Sequence, residues 1–411
     1  MPVIGAVRTD FAATVKQRLE EFGREVLAEA MNRPAQLENG GLYLRGLIEE
    51  GKRKSLEPMV GRLGGACDYQ SMQQFLTDSP WDPAELVRAV AERVAPEIEV
   101  LAWVLDDTGF PKQGKRSPGV KRQYSGTLGK IGNCQIGVSV HAVGERGTVP
   151  LGWALYLPEE WCEDSERRAR AKIPEEVAFK TKPELGSELL ERASGWEVPK
   201  APVLGDAAYG DNNELRERLH HAEFQYVLSV SAETAVFAPG SVFEVPERKG
   251  ATGRPRGRLR PDRKPQAIAE LIAGLGPEDW QTVAFRDGPD GEPMTSRFAF
   301  VRVRAAHGWQ RGFATEPREE WLICEWPDGA EAPTDHWLAN LPRNEEPERL
   351  ARLARLRWKI ELDYKQLKGE LGLDQYEGRS YLGWHHHTAL VTTAHGFLTL
   401  ERLHPFHPPP A

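Results

Sequence analysis

Apolar residues recur every three to four positions in AATVKQRLEEFGREVLAEAM (residues 12–31) and DPAELVRAVAERV (82–94), which predicts amphipathic helices across residues 1–95. Ser79, Asp82 and Pro83 supply a helix start before the second of these. The pattern then changes. LAWVLDDT (101–108) is a short apolar run ending in two carboxylates, and NCQIGVSVHAV (133–143) alternates as a half-buried strand does. VPLGWALYLP (149–158) follows across GERGT, a glycine-containing hairpin loop. A helix is expected around 183–193, an apolar strand in APVLGDAAYG (201–210) that ends at Asp206, a helix over 212–219 and a strand over 224–231. The order is β-β-β-α-β-α-β, with carboxylates ending the first and fourth strands.

Residues 232–345 break that rhythm with short strand candidates between Gly/Pro turns (SRFAFVRVRAA, EEWLICEWP, DHWLANLP), which predicts an inserted, mostly β subdomain. One long helix is expected from Pro347 to Gly369, with Leu350, Leu353, Ile360, Tyr364 and Leu367 as its apolar stripe. The division is therefore a helical domain at 1–95, a core in two parts at 96–231 and 346–400, the insertion at 232–345 and a disordered tail at 401–411. The fold class is α/β.

Composition adds limits. The chain has 411 residues, 40% hydrophobic and 28% charged, as globular proteins do. Its 53 basic and 61 acidic residues give −8, which in bulk argues against a nucleic-acid binder. Four dispersed cysteines form no CxxC pair, which fits a reducing cytoplasm, and neither a signal peptide nor a membrane span is expected.

The charges are unevenly placed, however. Residues 112–130 hold Lys112, Lys115, Arg116, Lys121, Arg122 and Lys130 and no acid. Residues 248–264 hold eight bases, among them Arg254, Arg256, Arg258 and Arg260, against one acid. Glycine-rich loops of this charge are expected to contact the phosphates of double-stranded DNA.

Carboxylates carry the candidate chemistry. They are Asp106 or Asp107 on the first strand, Asp206 on the fourth and Glu361 on the late helix. If the first and fourth strands are neighbours, their aspartates lie side by side, and a helix over that edge adds a third. Bare carboxylates in a cluster repel one another, whereas hard oxygen ligands suit magnesium. Arg357, Glu361 and Lys368, four and seven residues apart, would share one helical face, with the cations available to a phosphate backbone.

Three separated blocks resemble the DDE transposases of bacterial cut-and-paste insertion sequences, nearest to the family numbered 701, a relative of the family numbered 4. They are VLDDTGFPKQGKRSPGVKRQYSGTLGKIGNCQIGVSVHAV, VLGDAAYGDN and RWKIELDYKQLKGELGLDQYEGRSYLGWHHH. Arg357, Glu361 and Lys368 fit the spacing of the larger class's Tyr-x2-Arg-x3-Glu-x6-Lys signature, while Ala354 stands where that signature has tyrosine. The resemblance, over roughly residues 60–400, implies an RNase H-like core with an all-β insertion before the glutamate. It also implies two Mg2+ (Mn2+ able to substitute) held by Asp106, Asp206 and Glu361, cleavage and joining of transposon ends to target DNA, and a homodimer on DNA. The family's Asp-x-Thr pattern selects Asp106, with Asp107 as the register alternative.

The blander readings are specific. A strand-end aspartate is commonly a helix cap. His385, His386 and His387 point about 100° apart on a helix, so a shared metal is not expected. Trp280, Trp309, Trp321, Trp326 and Trp337 in the insertion are expected to be core, although one could stack on a flipped base. The rival functions are a non-catalytic DNA-binding regulator of transposase descent and a metal-independent carboxylate-pair hydrolase.

Overall fold

The computed structural model describes residues 3–245, 258–288, 290–309 and 315–404. The chain opens with five helices, α1 (Val3–Ala30), α2 (Pro34–Ile48), α3 (Leu56–Arg62), α4 (Tyr69–Thr77) and α5 (Pro83–Val94). Strands β1 (Val100–Pro111), β2 (Lys121–Ser125), β3 (Lys130–Gly144) and β4 (Thr148–Tyr156) follow, then α6 (Glu159–Glu163), α7 (Ser165–Ala171) and α8 (Lys182–Ala193). Next come β5 (Val203–Gly205), α9 (Ala207–Gly210), α10 (Asn213–His221) and β6 (Tyr226–Ser229). The stretch after them holds β7 (Ala235–Phe237), β8 (Phe243–Glu244), β9 (Arg260–Pro261), β10 (Gln266–Ala267) and α11 (Ile268–Ala273). It continues through β11 (Gln281–Asp287), β12 (Pro293–Ala305), β13 (Glu319–Trp326) and β14 (Asp335–Ala339). Helices α12 (Pro347–Arg355), α13 (Trp358–Gly369) and α14 (Tyr381–Leu403) close the chain, which is mixed α/β.

The chain divides into two compact units, Met1–Lys200 with Lys359–Ala411, and Ala201–Trp358. These limits differ from those expected at 95, 231 and 345, and packing accounts for the first two. In the first unit the N-terminal helices share a core with α14 instead of forming a separate body. Phe22 of α1 meets Phe397 at 5.8 Å, and a Cβ at Gly396 would lie 2.7 Å from Val90 of α5. Strand β3 is central in this unit, antiparallel to β1 on one side and to β2 and β4 on the other. Helix α8 lies against β1, where Gly186 permits close approach. A Cβ there would sit 2.6 Å from Leu105 Cδ1.

In the second unit most of the insertion's strands continue one sheet, ordered β10-β7-β12-β13-β14-β6-β5, with β11 also on β12, while β8 and β9 pair separately. Antiparallel pairing of Trp337 with Ser229 and of Leu338 with Leu228 joins β14 to β6, so no boundary falls at residue 231. Strands β5 and β6 are parallel. The unit's core gathers Val236, Ile268, Val303, Leu322 and Leu338.

The late helix is not continuous. Residues 356–357 form a turn, so α12 and α13 are separate helices. Pro347 does begin α12 and Gly369 does end α13. Among the described residues no helix is long and apolar enough to cross a membrane, and all four cysteines are free.

Candidate active site

Asp106 and Asp107 are interior residues of β1, which runs on to Pro111, and not its end as expected. Adjacent strand residues face opposite ways, and the two carboxylates accordingly have different surroundings. Asp107 shares a face with Leu105, toward α8, and its Oδ2 lies 2.9 Å from Lys182 Nζ. Lys182 is set by the start of α8, where Thr181 and Glu184 form a reciprocal capping box. Asp106 is 7% exposed and stands opposite Ser139 of β3. Ser139 Oγ lies 2.8 Å from the Tyr364 hydroxyl of α13. Burial and the nearby Asp106 charge push the Tyr364 phenol well above its ordinary range.

Four ties fasten α13 along β3 and β1. Lys359 Nζ donates to Gly144 O at 2.6 Å. Asp363 lies 2.9 Å from His141 Nδ1 and accepts from Thr148 Oγ1 at 2.5 Å. Tyr364 meets Ser139, and Lys368 reaches β1. Burial drives the Asp363 carboxyl up, but hydrogen bonding from His141 and the neighbouring histidines hold it below its ordinary value. The contacts advance together. From Tyr364 to Lys368 the helix rises ~6 Å, and from Asp106 to Thr108 the strand covers ~7 Å. Glu361 is exposed and lies about 4.5 Å back along the helix axis from Tyr364. Buried Asp106 and the exposed turn of α13 that carries Glu361 thus belong to one helix–strand seam.

The cations expected near Glu361 are placed differently. Arg357 lies in the turn before α13 and not within the helix that carries Glu361. Lys368 Nζ donates to Thr108 Oγ1 at 2.7 Å, Gly109 O at 2.8 Å and Thr127 Oγ1 at 3.0 Å. An ammonium has three donors, and all three are engaged. Burial brings the Lys368 amine down to about 8. Lys112 is likewise turned inward, bonded to Tyr376 O at 2.6 Å and brought down to about 8 by burial. Lys115, Arg116, Lys121, Arg122 and Lys130 are exposed, and Lys121 pairs with Glu160 at 3.0 Å.

Asp206 belongs to the second unit, directly after β5, where it caps α9 by accepting from Ala208 N at 3.0 Å. Arg258 and Arg260 are exposed there, and Arg254 and Arg256 lie outside the described residues. The three histidines of α14 point to separate partners. His385 meets Tyr381 O, His386 meets Leu76 O and Trp81 O, and His387 meets the Tyr43 hydroxyl, Gly372 O and Leu373 O. The insertion's tryptophans pack on neighbouring side chains, as Trp280 does edge-on to Trp326 and Trp309 to Phe237.

Among the described residues no three His, Cys, Asp or Glu side chains are grouped closely enough to hold a metal ion by themselves. An ion here would rest on one or two carboxylates with water and substrate phosphate, a common arrangement for magnesium. Tyr364, Ser139, Lys182, Thr127, His141 and Asp363 were not singled out in the sequence as site residues. For Tyr364 and Asp363 the available signal was their place one turn or less from Glu361.

A probable transposase for insertion sequence element IS701 from Microchaete diplosiphon is 30% identical over 171 residues, which is 41% of this chain and 42% of that relative. The chain therefore matches less than half the length of that relative. The family model for the DDE superfamily endonuclease matches residues 26–292, which include Asp106 and Asp206 and end before α13. With most of its length matched by that model, the chain belongs to the DDE superfamily of endonucleases.

Proposed function

We propose that the protein is a DNA transposase that cuts the ends of an insertion sequence and joins the freed 3′-hydroxyls to target DNA. The reading takes the first unit's strands as part of an RNase H-like core and the protein as a homodimer on double-stranded DNA. One observation carries it. A buried aspartate on β1 and a glutamate on a helix tied to both β1 and β3 lie along one seam, in a chain of DDE endonuclease family. The similarity to a probable IS701 transposase supports transposition as the use of that chemistry.

Asp106 and Glu361 would hold magnesium, or manganese in its place, through hard oxygen ligands. Asp206 enters as the third carboxylate on its sequence context. Bound metal supplies charge stabilisation of the attacking and leaving oxygens of the phosphodiester. Asp107, neutralised by Lys182, keeps a second negative charge out of the seam. Tyr364 and Ser139 brace the strand beside Asp106, and Lys368 braces the strand two residues on.

A plasmid excision assay, with the gene's own flanking repeats bracketing a marker, tests the function. Glu361→Gln keeps the side-chain shape and removes the charge. Its expected outcome is loss of excision with end binding retained. Wild-type excision by that variant in magnesium would refute the assignment.

A further inference from the structure

We propose that a basic cleft in the first unit, apart from the Asp106 seam, binds the phosphate backbone of duplex DNA about five base pairs from the scissile phosphate. The inference rests on DNA being the substrate and adds where the flanking duplex is held. The cleft has a volume of about 890 Å3. Lys115, Arg116, Lys121 and Arg122 contribute from the β1–β2 connection and β2, Arg167 and Arg170 from α7, and Arg379 from the segment before α14.

The charge in it is largely uncompensated. Lys121 pairs with Glu160 at 3.0 Å and Arg170 with Glu166 at 2.8 Å. Among the described residues no carboxylate pairs with Lys115, Arg116, Arg122, Arg167 or Arg379. Cations gathered this closely repel one another, and the arrangement is relieved when a polyanion neutralises them.

The walls are fixed. The Arg167 guanidinium stacks 3.8 Å over the Trp161 ring, and Trp161 Nε1 donates to Val120 O at 2.9 Å. Arg168 secures the end of α7 by donating to Val177 O at 2.8 Å and Pro174 O at 2.7 Å. A planar guanidinium held on an indole keeps its N–H edge available for phosphate oxygens. Strand β3 gives the spacing. Lys121 stands opposite Cys134, whereas Asp106 stands opposite Ser139. Along β3, five strand residues cover ~17 Å, and a duplex lying along that strand advances 3.4 Å per base pair, which gives about five base pairs.

The test measures binding of the full chain to a 30-base-pair duplex, an arbitrary probe of about three helical turns, across a series of salt concentrations. The double variant Arg122→Ala/Arg379→Ala is compared with the wild type, and far-UV circular dichroism confirms that both are folded. The expected result is a salt slope shallower by about 2, from two lost phosphate contacts at ~0.9 each, with weaker binding at low salt. On a duplex carrying the element's own terminal repeat, which fixes the register, ethylation interference should place the lost contacts about five base pairs from the scissile phosphate. A variant slope equal to that of a wild type that binds duplex would overturn the cleft and leave the transposase reading standing. Loss confined to single-stranded DNA would also overturn it. Failure of the wild type to bind any duplex would remove both.

Discussion

Lys368 separates two mechanisms for the same residue. Its sequence position suggests a phosphate contact, but its ammonium is bonded to Thr108, Gly109 and Thr127 inside the first unit. Consider Lys368→Met, which keeps the stem and removes the charge. Hydrogen bonds to a charged donor contribute ~1.5–3 kcal/mol each, and a buried acceptor left alone costs ~1–3 kcal/mol. The three acceptors are not equally exposed to that loss. Thr108 Oγ1 and Thr127 Oγ1 lie 3.3 Å apart and can pair with each other, and Thr127 Oγ1 also accepts from Gly109 N at 3.2 Å. Against the loss stands relief of burying a charge, which already brings the amine down to about 8. The net expected destabilisation is therefore about 1–3 kcal/mol, not the full sum of three bonds.

The functional consequence should exceed the stability loss. Without the tie, α13 is free to shift against β1 at the level of Thr108, and a displacement of about 1 Å at a reacting centre can cost ~100-fold in rate. Urea unfolding, duplex binding and excision are measured on the same preparation. Lys368→Met should unfold at lower urea, bind duplex with an unchanged salt slope and excise poorly. A variant of wild-type stability whose salt slope falls by about 1 would mean that the ammonium meets a phosphate, and the positioning argument would be wrong.

Two further outcomes follow from the geometry. Asp106→Asn should abolish excision, whereas Asp107→Asn should retain it with a modest loss of stability, since Asp107 is neutralised by Lys182. The reverse pattern would show that the strand register is misassigned. The buried His387 ring is brought down to about 4 by burial, with the Lys112 charge adding to the effect, against an ordinary 6.5. Its folded pKa is depressed, so the unfolded chain takes the proton first. The stability it contributes is complete above pH 6.5 and is lost as the pH falls toward about 4. Between pH 7.5 and 5 this amounts to roughly 2 kcal/mol, and urea midpoints for wild type and His387→Gln should converge at the lower pH. Parallel pH dependences would rule out His387 as the source.

The elements bearing the carboxylates were legible because their patterns are local. Alternation over 133–143 became β3, and the apolar run at 101–108 became the middle of β1. The stripe from Ile360 to Leu367 became the buried face of α13. What the pattern hid was the turn at 356–357. Leu350, Leu353, Ile360 and Leu367 keep helical phase closely enough that a two-residue break leaves the stripe intact, although it sets Arg357 outside the helix that carries Glu361. The domain limits were hidden for another reason. Composition changes at about residues 95 and 231, but α1, α5 and α14 bury one another, and β14 pairs with β6. Both facts depend on residues more than a hundred positions apart.

The balance of charge shows the same limit in the candidate site. A sum of −8 describes a chain that meets DNA with its average, but binding depends on the cations within a Debye length of each phosphate, about 8 Å at physiological salt. Residues 112–130 announced a basic segment, yet folding divides it. Lys112 goes inward to Tyr376 O, while Arg116 and Arg122 stay at the cleft. The cleft is completed by Arg167 and Arg170, in a segment whose acids make it look unsuited to DNA, and by Arg379, more than two hundred residues further on. On α7 the sorting is visible within three residues. Glu166 neutralises Arg170, while Arg167 lies over Trp161 with no carboxylate on it among the described residues. On the proposed function, the cation available to a phosphate is therefore the one without a partner already among the described residues, and this favours Arg116, Arg122 and Arg379 over Lys112 and Lys368.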